Sequence, residues 1–241
     1  MSNTGSSTKK KEEVSRLVET SYLTPYQKGK DAYAEKRQKL IKLMESRGCI
    51  PESMTEENIG FYHLDVFGHV SGPSLSTLIH GALDRQGSWG YERVLGIRDA
   101  QGLCTGRGPI TVLPRKVTQT YRIPVTWPDA VLIGVRPIAF DEKTGQFGND
   151  FELFSLKTGQ LCYRHTIIQS LIDVTKGGRA VHINKLAEGD EKWKHWREWW
   201  NGHATNSQKL LAEAEAQKSN SKRSAEIEKQ KDLSKTRHAK L

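Results

Sequence analysis

The sequence predicts an α+β domain in which one long helix covers one face of an antiparallel sheet, and three observations lead there. Leu75, Leu78, Ile79, Ala82 and Leu83 fall at i, i+3, i+4, i+7 and i+8, a five-for-five match to one apolar helix face. Past Gly108 the period becomes strand-like, over 110–113, 117–125, 130–140, 147–156 and 161–174. Two of the joins are written identically, Lys-Thr-Gly-Gln at 143–146 and again at 157–160. A glycine at the third position of each supplies the positive φ that a short hairpin turn needs. Strand, long helix, then four or five antiparallel strands is the order of an α+β fold.

Each element follows from local chemistry. Over 25–44, Leu40, Ile41 and Met44 sit at helical spacing, and Gly48 and Pro51 end the pattern. That predicts a charged helix docking by a narrow stripe. Residues 58–64 read as a strand and 65–72 as a glycine-containing loop. Pro73 suits the first helical position because it lacks the donor left unpaired there, which puts the cap at Gly72. Pro137 predicts an edge or a bulge in its strand. Over 185–201 a short helix is expected, with Trp193, Trp196 and Trp200 forming one stripe that docks on the domain or on a second subunit. Interleaving of Trp193, Trp196, Trp199 and Trp200 with Lys192, Lys194, His195 and Arg197 also suits stacking on bases or a membrane surface. From Thr205 onward, Ala, Glu, Lys, Ser and Gln dominate, and such a segment is a marginal helix or disordered. The expected division is a polar helical arm over 1–48, the domain over 49–184, and a charged helical or disordered tail over 185–241.

Composition bounds the function. At 241 residues, 36% hydrophobic and 27% charged, the chain suits one modest domain with extensions. No apolar run approaches the ~20 residues of a membrane span, so integral membrane association is not expected. Cys49, Cys104 and Cys162 are odd in number, far apart and without a Cys-x-x-Cys pair. This argues against a disulfide scaffold or a cysteine zinc site, and for a reducing compartment. The net charge of +9 divides into +5 over 1–48 and +4 over 185–241, while 49–184 carries 13 residues of each sign. A neutral domain argues against a nucleic-acid-binding face. The polar start, with Glu12, Glu13 and Glu19, gives no secretory core and weighs against a mitochondrial transit reading.

Asp65 is the residue that stands out, at the end of an apolar segment and before the helix. It lies seven residues from the expected cap, so a capping role fits poorly. Two readings remain. It is either an acid that braces its loop through backbone amides, or a carboxylate facing the positive helix end, available as nucleophile or general base.

The run His63-Leu64-Asp65-Val66-Phe67-Gly68-His69-Val70-Ser71-Gly72 resembles the motif of the hotdog-fold thioesterases, in their 4-hydroxybenzoyl-CoA thioesterase-like branch. That motif is approximately Asp-x-Asp-x-x-Gly-His-Val-Asn-Asn before the central helix. Asp65, Gly68, His69 and Val70 match it; His63 stands at the first Asp, Ser71-Gly72 at the Asn pair, Leu75 at an aromatic and His80 at an acid. The resemblance covers about 56–176 and leaves the arms unexplained.

It implies a hotdog fold, one long central helix wrapped by an antiparallel sheet of five or six strands, here with helical N- and C-terminal extensions. It also implies a homodimer or homotetramer joined sheet edge to sheet edge, with active sites between protomers. Asp65 becomes the catalytic carboxylate and the Gly72 amide the oxyanion donor, with His69 and His80 as weaker candidates for substrate binding. The reaction implied is hydrolysis of an acyl-CoA or acyl-carrier thioester, without a cofactor. A metal on His63, Asp65 and His69 is not expected, since no cysteine or second carboxylate joins them. Arg115, Lys116, Lys176 and Arg179 are candidates to meet CoA phosphates.

Two other readings compete. A hotdog hydratase or dehydratase resembles Asp-x-Asn-Pro-x-His, with Asp and His five apart, whereas Asp65 and His69 are four apart with no Asn-Pro between. A non-catalytic hotdog scaffold would bind RNA or a protein partner through the basic arms. Lastly, Ala239-Lys240-Leu241 resembles the Ser-Lys-Leu peroxisomal address. It implies a peroxisomal import receptor as partner and a peroxisomal location, with cytoplasmic or mitochondrial alternatives.

Overall fold

The structure, a computed structural model, describes residues 33–238. Most of the predicted N-terminal arm, and Ala239, Lys240 and Leu241, lie outside the described residues. Chain order gives helix α1 (Ala34–Ser46), strand β1 (Thr55–Asn58), helix α2 (Gly72–Gln86), helix α3 (Ile97–Thr105), strands β2 (Ile110–Tyr121), β3 (Ala130–Ile138), β4 (Phe147–Ser155), β5 (Leu161–Asp173) and β6 (Arg179–Val181), and helices α4 (Ile183–Gly189) and α5 (Glu191–His238). The six strands form one antiparallel sheet in the order β1-β3-β4-β5-β2, with β6 pairing the end of β5.

Strand β3 is apolar almost throughout because both its faces are covered. Val131, Ile133 and Val135 point inward to Leu75, Leu78, Ile79 and Ala82 of α2, the helix face predicted from spacing, while Leu83 packs at its margin. Ala130 and Leu132 point outward to Leu40 and Met44 of α1, two of the three residues of its predicted stripe. A long helix cradled on one face of a curved antiparallel sheet is the hotdog arrangement that the sequence resemblance implies. The two Lys-Thr-Gly-Gln turns join β3 to β4 and β4 to β5, with Gly145 at φ +66° and Gly159 at φ +73°. Pro137 lies beyond the stretch of β3 that β1 covers, 130–133, so its missing donor leaves no partner of β1 unserved.

The tryptophan stripe docks on its own domain. Trp196 and Trp200 are fully buried and Trp193 nearly so, against Tyr91, Leu103, Phe140 and Phe147. Trp200 Nε1 donates to the Ile138 carbonyl at 2.9 Å.

Four boundaries differ from expectation. The strand predicted over 58–64 is instead β1, which begins three residues earlier and ends at Asn58, followed by a 3-10 turn at Phe61–His63. His63 Nδ1 accepts the Gly60 N–H at 2.9 Å, a local bond that competes with strand pairing. Candidates 110–113 and 117–125 are one strand, because a register shift between Pro114 and Lys116 absorbs the proline. The helix expected over 185–201 is two, divided at Asp190, whose Oδ1 accepts the Lys192 N–H at 3.0 Å. Residues beyond Thr205 continue as helix to His238. Ala204 and Ser207 are still buried on the domain, so α5 is anchored well past its tryptophans.

Candidate active site

The sequence from Leu64 to Gly72 folds as a tight loop leading into α2. Leu64 bridges Val70, and the Asp65 N–H donates to the His69 carbonyl at 2.7 Å. Gly68 closes the turn at φ +77°, its N–H donating to the Asp65 carbonyl at 3.1 Å. Asp65 Oδ1 accepts the Phe67 N–H at 2.9 Å and the His69 N–H at 3.0 Å. The loop-bracing reading of Asp65 is therefore realised by one carboxylate oxygen. The other, Oδ2, has no hydrogen-bond partner among the described residues, and the side chain is exposed. One oxygen fixes the carboxylate while the second stays available.

The helix start differs by one residue from expectation. Gly72 is the first helical residue and Ser71 the cap, its Oγ accepting the Ser74 N–H at 3.2 Å. Of the donors that a helix start leaves over, Pro73 has none, Ser74 is capped, and Leu75 bonds the Ser71 carbonyl at 2.9 Å. The Gly72 N–H has no partner among the described residues. A Cβ at Gly72 would stand 2.8 Å from the Tyr121 hydroxyl, so a side chain here would force Tyr121 to move.

Asp65, His69 and Gly72 line one cleft of about 340 Å³, with Leu75, Tyr121, Arg122, Cys162 and Tyr163 among its walls. Burial pushes the Cys162 thiol up to about 11, so it stays protonated and is no rival nucleophile. Burial also raises the Tyr163 phenol, with Tyr121 adding to the effect.

His80 is not in that cleft. It lines a second cavity of about 340 Å³ between α2 and the inner side of β2 and β5. His63 serves the scaffold: it is buried and bonded through Nδ1, and desolvation lowers its pKa below the usual imidazole value. Among the described residues no three His, Cys, Asp or Glu side chains gather to hold a metal ion.

Of the basic residues expected near phosphates, Lys176 is tied to Asp173, and none of Arg115, Lys116 or Arg179 lines the cleft. Arg122 does, and its neighbourhood extends to a larger basic cleft with Arg47, Arg164 and Lys218. Sequence reasoning missed Arg122, Tyr121, Tyr163, His165 and Gln169. The alternation Tyr163, His165, Ile167, Gln169 marks one face of β5, but which face meets the helix depends on strand pairing.

No family model matches the chain, and no curated protein matches it. Similar solved structures include a hypothetical protein from Staphylococcus aureus in complex with CoA, at 11% identity, covering 62% of this chain and 84% of that one, TM-score 0.47. Another is a 1,4-dihydroxy-2-naphthoyl-CoA thioesterase from Synechocystis, at 14% identity, covering 60% and 93%, TM-score 0.46. A third is a thioesterase from Thermus thermophilus complexed with coenzyme A and Zn, at 15% identity, covering 62% and 93%, TM-score 0.46.

Proposed function

We propose that the chain hydrolyses acyl-CoA thioesters in the cleft shared by Asp65 and Gly72. One observation carries the reading: a half-free carboxylate and an unpaired helix-start amide line the same cleft. Thioester hydrolysis needs these two groups. The Gly72 N–H, at the positive end of α2, donates to the carbonyl oxygen as it becomes an oxyanion. One such donor lowers a barrier by about 3 kcal/mol. Asp65 Oδ2 either attacks the carbonyl carbon directly, giving a mixed anhydride that water then hydrolyses to restore the carboxylate, or takes a proton from the attacking water. The C–S bond breaks, the thiolate leaves and is protonated, and the products are a carboxylic acid and the free thiol. Arg122, at the cleft, is positioned to meet a carrier phosphate.

The proposed assembly is a homodimer or homotetramer. Strand β2 is one of the sheet's two edge strands, and Val117 and Tyr121 on it are exposed, as are Phe61, Tyr62, Val66 and Phe67 around the site loop. A second copy would cover both surfaces. Peroxisomal delivery through Ala239, Lys240 and Leu241 is a proposal from the sequence alone. Deleting those three residues from an N-terminally fluorescent fusion should turn punctate signal diffuse; diffuse signal from both forms removes it.

The test of the activity is a panel of acyl-CoAs with detection of the released thiol. Hydrolysis of at least one chain length is expected from the native protein and loss of it from Asp65→Asn. Release of no thiol from any acyl-CoA overturns the assignment.

A further inference from the structure

Gln169 is placed where its own fold gives it nothing to bond. It is 5% exposed, and its Oε1 has no hydrogen-bond partner among the described residues. The pairing explains why. Its cross-strand neighbours are Pro114 on β2 and Phe147 on β4, and Ile167 and Leu171 flank it on the same face of β5. A buried amide oxygen among apolar side chains costs stability with no return inside the protein. Gln169 lines the second cavity, whose other polar walls include Ser76, His80 and Asp84 of α2, Tyr91, Gln119 of β2, and His165. His165 is 5% exposed, and its Nδ1 lies 3.1 Å from the Tyr163 hydroxyl. Leu83, Val112 and Val117 supply an apolar lining.

The cavity lies next to the cleft of the candidate active site, lined by neighbouring residues of the same elements. Leu75 of the cleft precedes Ser76 of the cavity; Tyr121 and Gln119, like Tyr163 and His165, are two residues apart on one strand face. Between the two spaces lie the contacts of Tyr121 Oη with Gln119 Oε1 at 3.4 Å, of Gln119 Nε2 with Ser76 Oγ at 3.4 Å, and of the Tyr163 hydroxyl with His165 Nδ1 at 3.1 Å. The two bonds at 3.4 Å part readily. Along α2, Gly72 to His80 is eight residues, or roughly 12 Å at the helical rise. An acyl chain whose carbonyl sits at Gly72 would thus run past Gln119 with its far end in the cavity.

We propose that this cavity selects acyl chains bearing a hydroxyl remote from the thioester, and that Gln169 is the specificity-determining residue. The proposal rests on the thioesterase reading for the position of the carbonyl. A hydroxyl is the fitting group because it both donates and accepts, so it satisfies whichever end of the Gln169 amide faces it. A carboxylate would enter beside Leu83 and Val112 as a desolvated charge, with the Asp84 carboxylate on the same wall. An unsubstituted chain fills the space and leaves the amide unpaired, the situation in which a polar site rejects the analogue lacking its partner group.

The test compares ω-hydroxyacyl-CoAs with unsubstituted acyl-CoAs of equal length, from short to long, on the native protein, Gln169→Leu and Gln169→Met. At the best-fitting length the native protein should favour the hydroxylated substrate in kcat/KM by roughly tenfold, the scale of one neutral hydrogen bond. Both variants should lose that preference while hydrolysing the unsubstituted chain at least as well, and neither should melt lower than the native protein. An equal preference in native protein and variants, or native preference for the unsubstituted chain, overturns the proposal. Calorimetric titration with the free ω-hydroxy and unsubstituted fatty acids separates the two readings. If no acyl-CoA is hydrolysed but the hydroxy acid binds the native protein about tenfold tighter and the variants without preference, the thioesterase reading fails and the cavity assignment holds. Equal binding of both acids by the native protein overturns the cavity assignment.

Discussion

On the outer face of the sheet Glu152 is wholly buried and is gripped by three guanidinium groups. Arg47 reaches it at 2.6 and 2.9 Å, Arg164 at 2.6 and 2.9 Å, and Arg136 at 3.0 Å, while Arg136 also bonds Asp150. On the inner side three polar groups are left open: one oxygen of Asp65, the Gly72 N–H and Gln169 Oε1. Outside, charges close on one another; inside, donors and acceptors face cavities. Trp196 Nε1 is a further orphan, but its neighbours are the rings of Tyr91, Phe140 and Phe147 rather than a cavity. The contrast separates a scaffold network, where pairing offsets burial, from a site, where unpaired groups are kept for a ligand.

The strongest way to break this comparison is to treat one acid on each face identically. Asp65→Asn keeps an oxygen that can accept the Phe67 and His69 amides, so the loop should hold. We expect turnover to fall by about 10²–10⁴-fold with Tm unchanged within about 2 °C. Glu152→Gln should do the reverse. It leaves three arginines around a neutral amide, and loss of one partner of a buried network costs about 3–5 kcal/mol. Urea melts should register that loss while the folded fraction keeps its specific activity. An Asp65→Asn protein that melts early but turns over normally would make Asp65 a brace alone, and the inner face would then be scaffold too.

Acid sharpens the contrast. Burial alone would raise the Glu152 pKa, but the hydrogen bonds from Arg47 and Arg136 and their charges outweigh it and hold the group at about 2. A carboxyl whose folded pKa lies below its unfolded value stabilises fully above the unfolded pKa, near 4.5, and loses that contribution as pH falls toward 2. The stability gap between native protein and Glu152→Gln should therefore be constant from about pH 7 to 5 and shrink below about 4.5. A gap unchanged at about pH 3 would mean that Glu152 is not the acid-sensitive member of the network.

Much of the scaffold was legible because its signals are local and periodic. Leu75, Leu78, Ile79, Ala82 and Leu83 mark a helix face without reference to any other segment, and so do Trp193, Trp196 and Trp200. The repeated turn needs only its glycine. Strand β1 was not legible, because Thr-Glu-Glu-Asn carries no alternation of its own. It is a strand through pairing with β3, where Glu56 is ion-paired with Arg37. In the site, Asp65 was found because loop chemistry is written in consecutive residues. Gln169 was not, because its meaning lies in Pro114 and Phe147, some 55 and 22 positions away, which only the register brings beside it. Ser71 was passed over as the cap because Pro73 fits either of the first two helical positions.

The smallest expected effect concerns the open amide itself. In Gly72→Ala the new methyl would meet the Tyr121 hydroxyl at 2.8 Å but the ring carbon behind it at 3.8 Å, an ordinary contact. The clash thus lies wholly with one oxygen at the end of a movable side chain. Tyr121 must swing aside, and it swings within the cleft where the thioester carbonyl is to bind. We expect kcat/KM to fall by roughly tenfold, about 1.4 kcal/mol of transition-state stabilisation, with Tm little changed. The double variant Gly72→Ala with Tyr121→Phe removes the clashing oxygen and should recover most of that loss, while Tyr121→Phe alone should stay close to the native rate. Recovery would locate the defect in access to the Gly72 N–H. If the double variant is no better than Gly72→Ala, crowding by Tyr121 is not the cause. The amide at Gly72 would then lose its claim to being the open donor on which the inner face depends.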